Sequence, residues 1–194
     1  MGKGEVTRQA VLVAANEVAD RLGLAGLTIG SLADRVEMSK SGLFGHFRSK
    51  EALQLAVLEY ARDGFVDAVI RPALAAPRGE KRIRTLVEGW IVLGVERRAG
   101  CLFVSADLEF DDRPGPVRDQ LVRDHRDLLE SVAQMFRTGI SEGEFRPDAD
   151  PEQFAHDLYG VMLGLFHAHR LMEDPQAISR TRRALDALLD NARI

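Results

Sequence analysis

The chain has 194 residues, enough to bury one sizeable core or to form a small and a larger domain. Its apolar fraction of 45% and charged fraction of 29% are those of an ordinary globular protein, and its formal net charge is -4. The longest uncharged apolar run, Leu158 to Phe166, is about half the length of a membrane-spanning helix, which excludes a membrane protein. The N-terminus has no apolar signal segment and the single cysteine, Cys101, cannot form an intrachain disulfide, so we expect a cytoplasmic protein.

The charge is unevenly distributed along the chain. Residues 1–50 hold seven Lys or Arg against five Asp or Glu, a net charge of +2, so the remainder carries -6. A basic end on an acidic body is the charge pattern of a protein that faces phosphate with one end. A surplus this small also arises by chance, so the pattern agrees with nucleic-acid binding without requiring it.

Three helical patterns follow one another in the first fifty residues. Thr7 is suited to cap a first helix of about fifteen residues. Ser39 is suited to cap the third helix, from Lys40 to about His46. Thr28 is suited to cap the second, and the apolar residues behind it follow the spacing of one helix face: Ile29, Leu32, Ala33 and Val36.

Two short helices around a tight turn form a helix-turn-helix, whose second helix enters the major groove of DNA. Leu43 and Phe47, four residues apart, are predicted to face inward, which leaves the rest of that helix exposed. Lys50 begins a longer helix, whose free N–H groups together with the Lys50 ammonium can hold a phosphate. The candidate DNA-binding residues are Thr28, Ser39, Lys40, Ser41, Gly42, Phe44, Gly45, His46 and Lys50.

This stretch resembles the tetracycline-repressor (TetR/AcrR-type) family of transcriptional regulators. The run from Leu43 to Leu53 is similar to the family's Leu-Tyr-x-His-Phe-x-Ser/Asn-Lys-Glu-x-Leu. The resemblance also rests on three earlier pairs, Thr28-Ile29, Leu32-Ala33 and Ser39-Lys40. It implies a homodimer that binds a palindromic operator, and a pocket for a small-molecule inducer in the larger helical region.

The chain departs from the family pattern at three positions. Members usually carry glycine where this chain has Glu37, tyrosine where it has Phe44, and a bulkier side chain where it has Gly45. Phe44 has no hydroxyl to donate to a phosphate. Gly42 and Gly45 each lower helix propensity by about 1 kcal/mol relative to Ala, so we expect a recognition helix that DNA helps to order.

Beyond Lys50 the sequence keeps a helical pattern to its end. The helix from Lys50 is predicted to run to about Ile70, where Arg71-Pro72 and then Ala75-Ala76-Pro77-Arg78-Gly79 break it. Later helices begin at Pro116 and Pro151, each at a first-turn position. No segment shows a strand period, so the predicted fold is all-α with about nine helices. We predict a three-helix DNA-binding domain at 1–49 and a larger ligand-binding and dimerisation domain at 50–194.

The last two predicted helices, about 151–172 and 176–192, are candidates for a homodimer interface. The first is apolar around most of its circumference, and the second is apolar on one side, so a four-helix bundle with a second copy would cover both. Gly160 and Gly164 would let the helix backbones approach closely. The alternative is that these glycines pack inside one subunit.

The larger region is expected to hold the small hydrophobic effector. Its large apolar side chains are candidates for the pocket, with His125 and His169 as polar groups, although residues of these types are individually more often part of a core than ligand contacts. The candidate ligand-binding residues are Trp90, Phe103, Phe110, Met135, Phe136, Met162, Phe166 and His169. Cys101 has no base in the sequence, and His167 and His169 point to different sides of a helix. We therefore expect no catalytic site, no metal and no cofactor.

The sequence predicts a dimeric transcriptional repressor that binds double-stranded operator DNA and is released by an effector binding its two conformations unequally. Two alternatives stay open. One is a ligand-independent architectural DNA-binding regulator. The other is a ligand carrier with a vestigial helix-turn-helix.

Overall fold

The structure, a computed structural model, describes residues 3–96 and 101–194, and side chains from residue 8 onward except residue 96. The all-α prediction is confirmed: these residues form α-helices and short π-helical segments, with no strand beyond one isolated bridge between Phe145 and Arg193. No helix in this part of the chain is long and apolar enough to cross a membrane. The α-helices are α1 (Lys3–Leu22), α2 (Ile29–Val36), α3 (Lys40–Phe47), α4 (Lys50–Phe65), α5 (Arg71–Ala75), α6 (Glu80–Ile91), α7 (Leu102–Phe110), α8 (Pro116–Ser141), α9 (Pro151–Phe166) and α10 (Ala177–Ala192).

The π-helical segments follow helix ends, at Val66–Ile70, Val92–Glu96 and His167–Leu171. Because Val66–Ile70 joins α4 to α5 without a break, the described residues form nine continuous helices, as predicted. One predicted cap is wrong, since α1 begins at Lys3 and Thr7 therefore lies inside it. No proline precedes Thr7, so nothing in the backbone prevents this extension.

The predicted break at Arg71-Pro72 is also wrong. The Arg71 N–H bonds to the carbonyl of Val66, five residues back, so the turn before Pro72 is wider than an α-helical turn and the continuous helix accommodates the proline ring. The helix ends at Ala76, within the predicted break at Ala75-Ala76-Pro77-Arg78-Gly79, where the backbone becomes extended (φ -69°, ψ 156°). Pro77 follows, and a residue before proline is driven out of the helical region.

The structure divides into two compact units. Unit 1 is Met1–Gly64 with Cys101–Arg123, and unit 2 is Phe65–Gly100 with Asp124–Ile194. By packing, therefore, α7 and the start of α8 belong with the N-terminal helices. The assignment of DNA binding to residues 1–49, and of ligand binding and dimerisation to residues 50–194, stays a prediction.

Unit 1 has its own hydrophobic core, built from one face each of α1 to α4 and α7. Its fully buried members include Leu24, Leu32, Leu43, Leu53 and Ala106. Burying a side chain of leucine size contributes about 1.5–3 kcal/mol relative to leaving it in water. The core thus holds the short helices α2 and α3, which are too short to be stable alone.

Unit 2 has a core of aromatic and aliphatic side chains from α6, α8, α9 and α10. The Phe136 ring stacks between Phe145 and Phe154, with centroids 4.5 Å and 4.3 Å away. The predicted start of α9 is confirmed. Asp150, the residue before Pro151, caps the helix, and its carboxylate accepts hydrogen bonds from the N–H groups of residues 152 and 153. These contacts fix the start of α9, one of the two helices proposed for dimerisation.

Ion pairs connect α6 to α10 at the surface of unit 2. Arg84 donates to Glu80 and to Asp186, at 2.7 Å each, and Arg193 donates to both carboxylate oxygens of Glu80. The hydrogen bond from Arg193, with that from Arg84, holds the pKa of Glu80 below its ordinary value. Glu80 is therefore held in its charged form by two arginines.

Candidate nucleic-acid interface

The start of α2 is fixed by reciprocal capping. Thr28 Oγ1 accepts a hydrogen bond from the N–H of Ser31 at 3.0 Å, and Ser31 Oγ accepts one from the N–H of Thr28 at 3.2 Å. The cap predicted at Thr28 is confirmed. Ser31 is not among the residues predicted from the sequence, although a hydroxyl three residues after the cap is an indication of it.

The turn between α2 and α3 requires an unusual backbone conformation. Glu37 ends α2 in the left-handed region (φ 52°, ψ 37°), which costs a residue with a Cβ about 1–2 kcal/mol. Ser39 then caps α3 by accepting from the N–H of Gly42 at 3.1 Å, as predicted. Local hydroxyl caps and one strained residue therefore set the angle between the two short helices.

Helix α3 has one buried and one exposed side. Leu43 and Phe47 are buried, as predicted, and the Arg8 guanidinium lies 5.5 Å from the centre of the Phe47 ring on the inner side. Phe44 is 57% exposed, a large fraction for a ring of this size, and Gly45 is exposed beside it. An exposed helix face with an exposed aromatic ring is suited to contact base edges and thymine methyl groups.

The amino end of α3 lies against the first turn of α2. A Cβ on Gly30 would be 3.8 Å from Lys40 Cε, 3.9 Å from Lys40 Nζ and 3.7 Å from Thr28 Oγ1. The ammonium of Lys40 thus lies near a helix N-terminus whose first N–H groups lack helical partners, and both attract anions. We call Thr28, Gly30 and Lys40 the basic corner. Gly30 was missed from the sequence because its contribution is the space it leaves.

The other candidates on α3 are close to this corner in sequence but differ in exposure. Ser39 Oγ and Ser41 Oγ lie 3.2 Å apart, and both residues are exposed. A Cβ on Gly45 would meet no described atom within 4 Å, so the backbone there is open to close approach. His46 is half-buried, with its ring 6.3 Å from that of Phe47. Their contacts with DNA remain predictions.

Lys50 lies at the start of α4 but its side chain turns back to the loop between α1 and α2. Its Nζ donates to the carbonyl of Ala25, while Ser49 Oγ caps α4 by accepting from the N–H of Ala52 at 3.0 Å. The proposed phosphate contact of Lys50 is untested. Because an ammonium has three N–H donors, the bond to Ala25 leaves capacity for a second acceptor.

The loop between α1 and α2 is held by side chains from two other helices. Gln54 of α4 is buried and donates to the carbonyl of Leu24 at 2.8 Å. Glu109 of α7 accepts from the N–H of Ala25 at 2.6 Å. Neither residue is among those predicted from the sequence, although a glutamine within the apolar face of α4 is an indication of such a bond. These bonds fix the loop that leads into α2.

The candidate ligand-binding residues are not all brought together. Phe103 and Phe110 pack in unit 1, where Phe110 is buried in the core with the N-terminal helices. His169 is half-buried in the π-helical segment after α9. Five candidates are buried in unit 2: Trp90, Met135, Phe136, Met162 and Phe166. Their contacts with a ligand remain predictions.

The two helices predicted for dimerisation are α9 with its π-helical extension, and α10. They pack against one another within unit 2. Gly160 and Gly164 are exposed, with no described atom within 4 Å of a Cβ on either, and Leu163 between them is 38% exposed. The alternative, in which these glycines pack inside one subunit, finds no contact among the described residues.

Two short capped helices at a tight turn, the second exposed along one face, define a helix-turn-helix DNA-binding regulator with an all-helical body. Two family models match the chain: "Bacterial regulatory proteins, tetR family" at residues 11–57, and "Tetracyclin repressor-like, C-terminal domain" at residues 79–185. The chain belongs to the TetR family, whose members are transcriptional regulators and not enzymes.

Relatives and solved structures agree with this assignment. The chain is 25% identical over 162 residues to the HTH-type transcriptional repressor NemR of Escherichia coli (strain K12), covering 81% of each chain. A TetR-family regulator from Cytophaga hutchinsonii has the same fold, with TM-score 0.86 and 21% identity over 100% of this chain and 98% of that one. AibR in complex with isovaleryl coenzyme A and operator DNA has TM-score 0.71 and 20% identity, covering 96% and 97%.

Proposed function

We propose that the protein is a repressor that binds a palindromic operator as a homodimer and leaves it when a small hydrophobic effector binds. The observation that carries the proposal is the basic corner at the amino end of the exposed face of α3. A repressor relative, NemR, and a solved structure of AibR with both operator DNA and an acyl coenzyme A support it. An operator target makes the cytoplasm the site of action.

In this proposal the basic corner holds a backbone phosphate. The Lys40 ammonium and the first N–H groups of α2 would bind the same anion, and Thr28 lies beside them. That contact fixes the register of α3 in the major groove. Phe44, Gly45 and His46 are then the groups that reach base edges, while Lys50 and Ser39 contact the phosphate chain.

A second copy of the chain would bind through α9 and α10. The exposed face of α9 has Gly160, Leu163 and Gly164 along one line, where the two glycines leave the helix backbone open to another helix on either side of the Leu163 side chain. A two-fold dimer of this kind presents two copies of α3. It therefore reads two half-sites about one helical turn apart, with inverted sequence.

The test is selection of bound duplexes from a random DNA pool, followed by affinity measurement at low and moderate salt. We expect a palindromic winner bound by two chains, with affinity that falls steeply as salt rises. Lys40→Ala should weaken binding at least tenfold and reduce the salt dependence, and Lys81→Ala, on an exposed lysine of unit 2, should change neither. No enrichment from a folded dimer would overturn the proposal.

Release by an effector is measured separately on the selected duplex. A screen of hydrophobic small molecules should yield at least one that lowers operator affinity, because only a ligand with unequal affinity for the two conformations shifts the equilibrium. Unchanged affinity across the screen would favour the ligand-independent regulator.

A further inference from the structure

Trp90, the only tryptophan of the chain, has an unusual environment in unit 2. Its side chain is 3% exposed, and its Nε1 atom is fully buried with no hydrogen-bond partner among the described residues. Buried N–H groups in folded proteins nearly always have a partner, and one without a partner retains the cost of losing water. This donor therefore points to a group that the protein chain itself does not supply.

The missing group must be a hydrogen-bond acceptor. An indole nitrogen carries one N–H and has no lone pair to offer, so it cannot bind a hydroxyl hydrogen or an ammonium. Carbonyl, carboxylate, ether and hydroxyl oxygens are acceptors found in small apolar molecules, and a hydroxyl also brings an O–H that needs an acceptor of its own. The site thus selects for one oxygen atom on an otherwise apolar ligand.

Aromatic side chains from neighbouring helices surround the indole. Phe65 meets it edge to face, with ring centroids 5.3 Å apart, and the Tyr159 ring lies 6.3 Å away. Tyr159 Oη and His125 Nε2 are 2.7 Å apart and hydrogen-bonded to each other. We call Phe65, Trp90, His125 and Tyr159 the Trp90 cluster. Its histidine–tyrosine pair already satisfies itself, so the Trp90 N–H is the donor that a ligand would need to satisfy.

The charges around α6 favour an uncharged acceptor over a carboxylate. Arg84 is bound to Glu80 and Asp186, and Arg82 donates to the carbonyls of Leu74 and Ala76. Neither described cation–ring contact of the chain involves Trp90, since both lie in unit 1. A buried carboxylate needs a cation to pair with, whereas a ketone, ester or thioester carbonyl does not, and these two arginines of α6 are already engaged.

We propose that the effector carries an uncharged carbonyl group whose oxygen accepts a hydrogen bond from Trp90 Nε1 within the Trp90 cluster. This inference rests on the proposed function, because it identifies the chemistry of the effector that the proposed function requires. The apolar remainder of the ligand would contact the Phe65 and Tyr159 rings. The hydrogen bond between His125 and Tyr159 orients the Tyr159 ring, and neither side chain binds the carbonyl.

The experiment uses the single tryptophan as the reporter. Protein labelled with ¹⁵N at the indole gives one Nε1–H resonance, whose proton moves downfield when it donates a hydrogen bond. The probes are matched by shape: cyclohexanone with cyclohexane and cyclohexanecarboxylate, and acetophenone with ethylbenzene and benzoate. We expect a saturable downfield shift with at least one ketone and none with its hydrocarbon.

Variants separate the hydrogen bond from general apolar binding. Trp90→Phe should weaken ketone binding about tenfold, measured by saturation-transfer difference spectra, while leaving hydrocarbon binding within twofold. Tyr159→Phe removes a hydroxyl that the histidine already satisfies, so the indole should keep its response to ketones. This second variant retains the reporter and tests the proposal even if Trp90→Phe fails to fold.

Three outcomes would overturn the proposal. They are no indole shift with either ketone, equal shifts with ketone and hydrocarbon, and tighter binding of a carboxylate than of its ketone. The measurement is made without DNA, so it is independent of the operator experiment. Operator binding without an indole response would contradict only the proposed carbonyl site. An indole response without release from the operator would contradict effector control but would support the carbonyl site.

Discussion

Lys40 of the recognition helix and Gly30 of the preceding helix are in direct proximity, with Lys40 Nζ 3.9 Å from where a Gly30 Cβ would lie. An alanine fits at that distance, which is ordinary van der Waals contact. We expect Gly30→Ala to stabilise the fold by about 0.5–1 kcal/mol, through lower backbone entropy of the unfolded chain, and to keep operator affinity. Gly30→Leu should displace the ammonium and weaken operator binding several-fold.

The comparison uses urea unfolding for stability and duplex binding for affinity. Lys40→Ala combined with Gly30→Leu should bind no more weakly than Lys40→Ala alone, because both changes remove the same contact. Additive losses would show that Gly30 affects binding by another route.

Glu109 is expected to stabilise the loop before α2. Glu109→Ala removes the only described acceptor for the Ala25 N–H, so we predict a loss of about 1–2 kcal/mol in the free energy of unfolding and faster hydrogen exchange at that amide. Glu109→Gln keeps an acceptor oxygen and should retain most of the protection. If the Ala25 amide of the alanine variant exchanges its hydrogen at the wild-type rate, the bonds from Gln54 and Lys50 are sufficient to hold the loop.

Glu37, at the turn of the helix-turn-helix, has a left-handed backbone conformation whose steric cost a glycine would not have. Glu37→Gly should raise the free energy of unfolding by about 1 kcal/mol, since glycine adopts φ 52° without a steric cost. Glu37→Gln removes the same charge but keeps the Cβ, and should leave stability close to wild type. Equal effects of the two variants in urea unfolding would assign the change to charge.

Stability should depend on pH through Glu80. Because the bonds from Arg193 and Arg84 lower its pKa in the folded state, this contribution is fully present above the ordinary value of 4.5 and is lost as pH falls through the folded-state value. Glu80→Gln should therefore reduce stability at neutral pH, and its difference from wild type should shrink with acidification. Glu59→Gln, at an exposed position of α4, is the control, and a pH-independent difference would contradict the prediction.

The proposed dimer can be tested at Gly160 without disturbing the subunit. A leucine there meets no described atom of its own chain within 4 Å at Cβ and has a better helix propensity, so the subunit should fold. We expect sedimentation to show a dissociation constant raised at least tenfold. Gly64→Leu, at an equally open position of α4, is the control and should remain dimeric. A wild-type dissociation constant for Gly160→Leu would show that this face of α9 is not part of the interface.

Local rules predicted the parts of the structure that depend on neighbouring residues. The caps at Thr28, Ser39 and Asp150 follow from hydroxyl or carboxylate groups at helix starts, and the inward positions of Leu43 and Phe47 follow from helical spacing. In each case the residues that carry the pattern are within four positions of one another in sequence.

The parts that were missed depend on contacts between distant segments. Glu109 and Ala25 are 84 residues apart, and no periodicity within α7 indicates that it packs with the N-terminal helices. Likewise Pro72 is tolerated because the preceding turn widens, which a rule that treats proline as a helix breaker does not anticipate. Tertiary packing decided both outcomes.

The loop at Ala25 is held through its main chain: its N–H reaches Glu109 and its carbonyl reaches Lys50. Because every residue except proline supplies the same two groups, the side chain at position 25 can vary among relatives while the junction persists. In a comparison of homologous sequences, this junction would therefore be visible only as covariation of Glu109 with Lys50. Position 25, which joins the two, would show no conserved side chain.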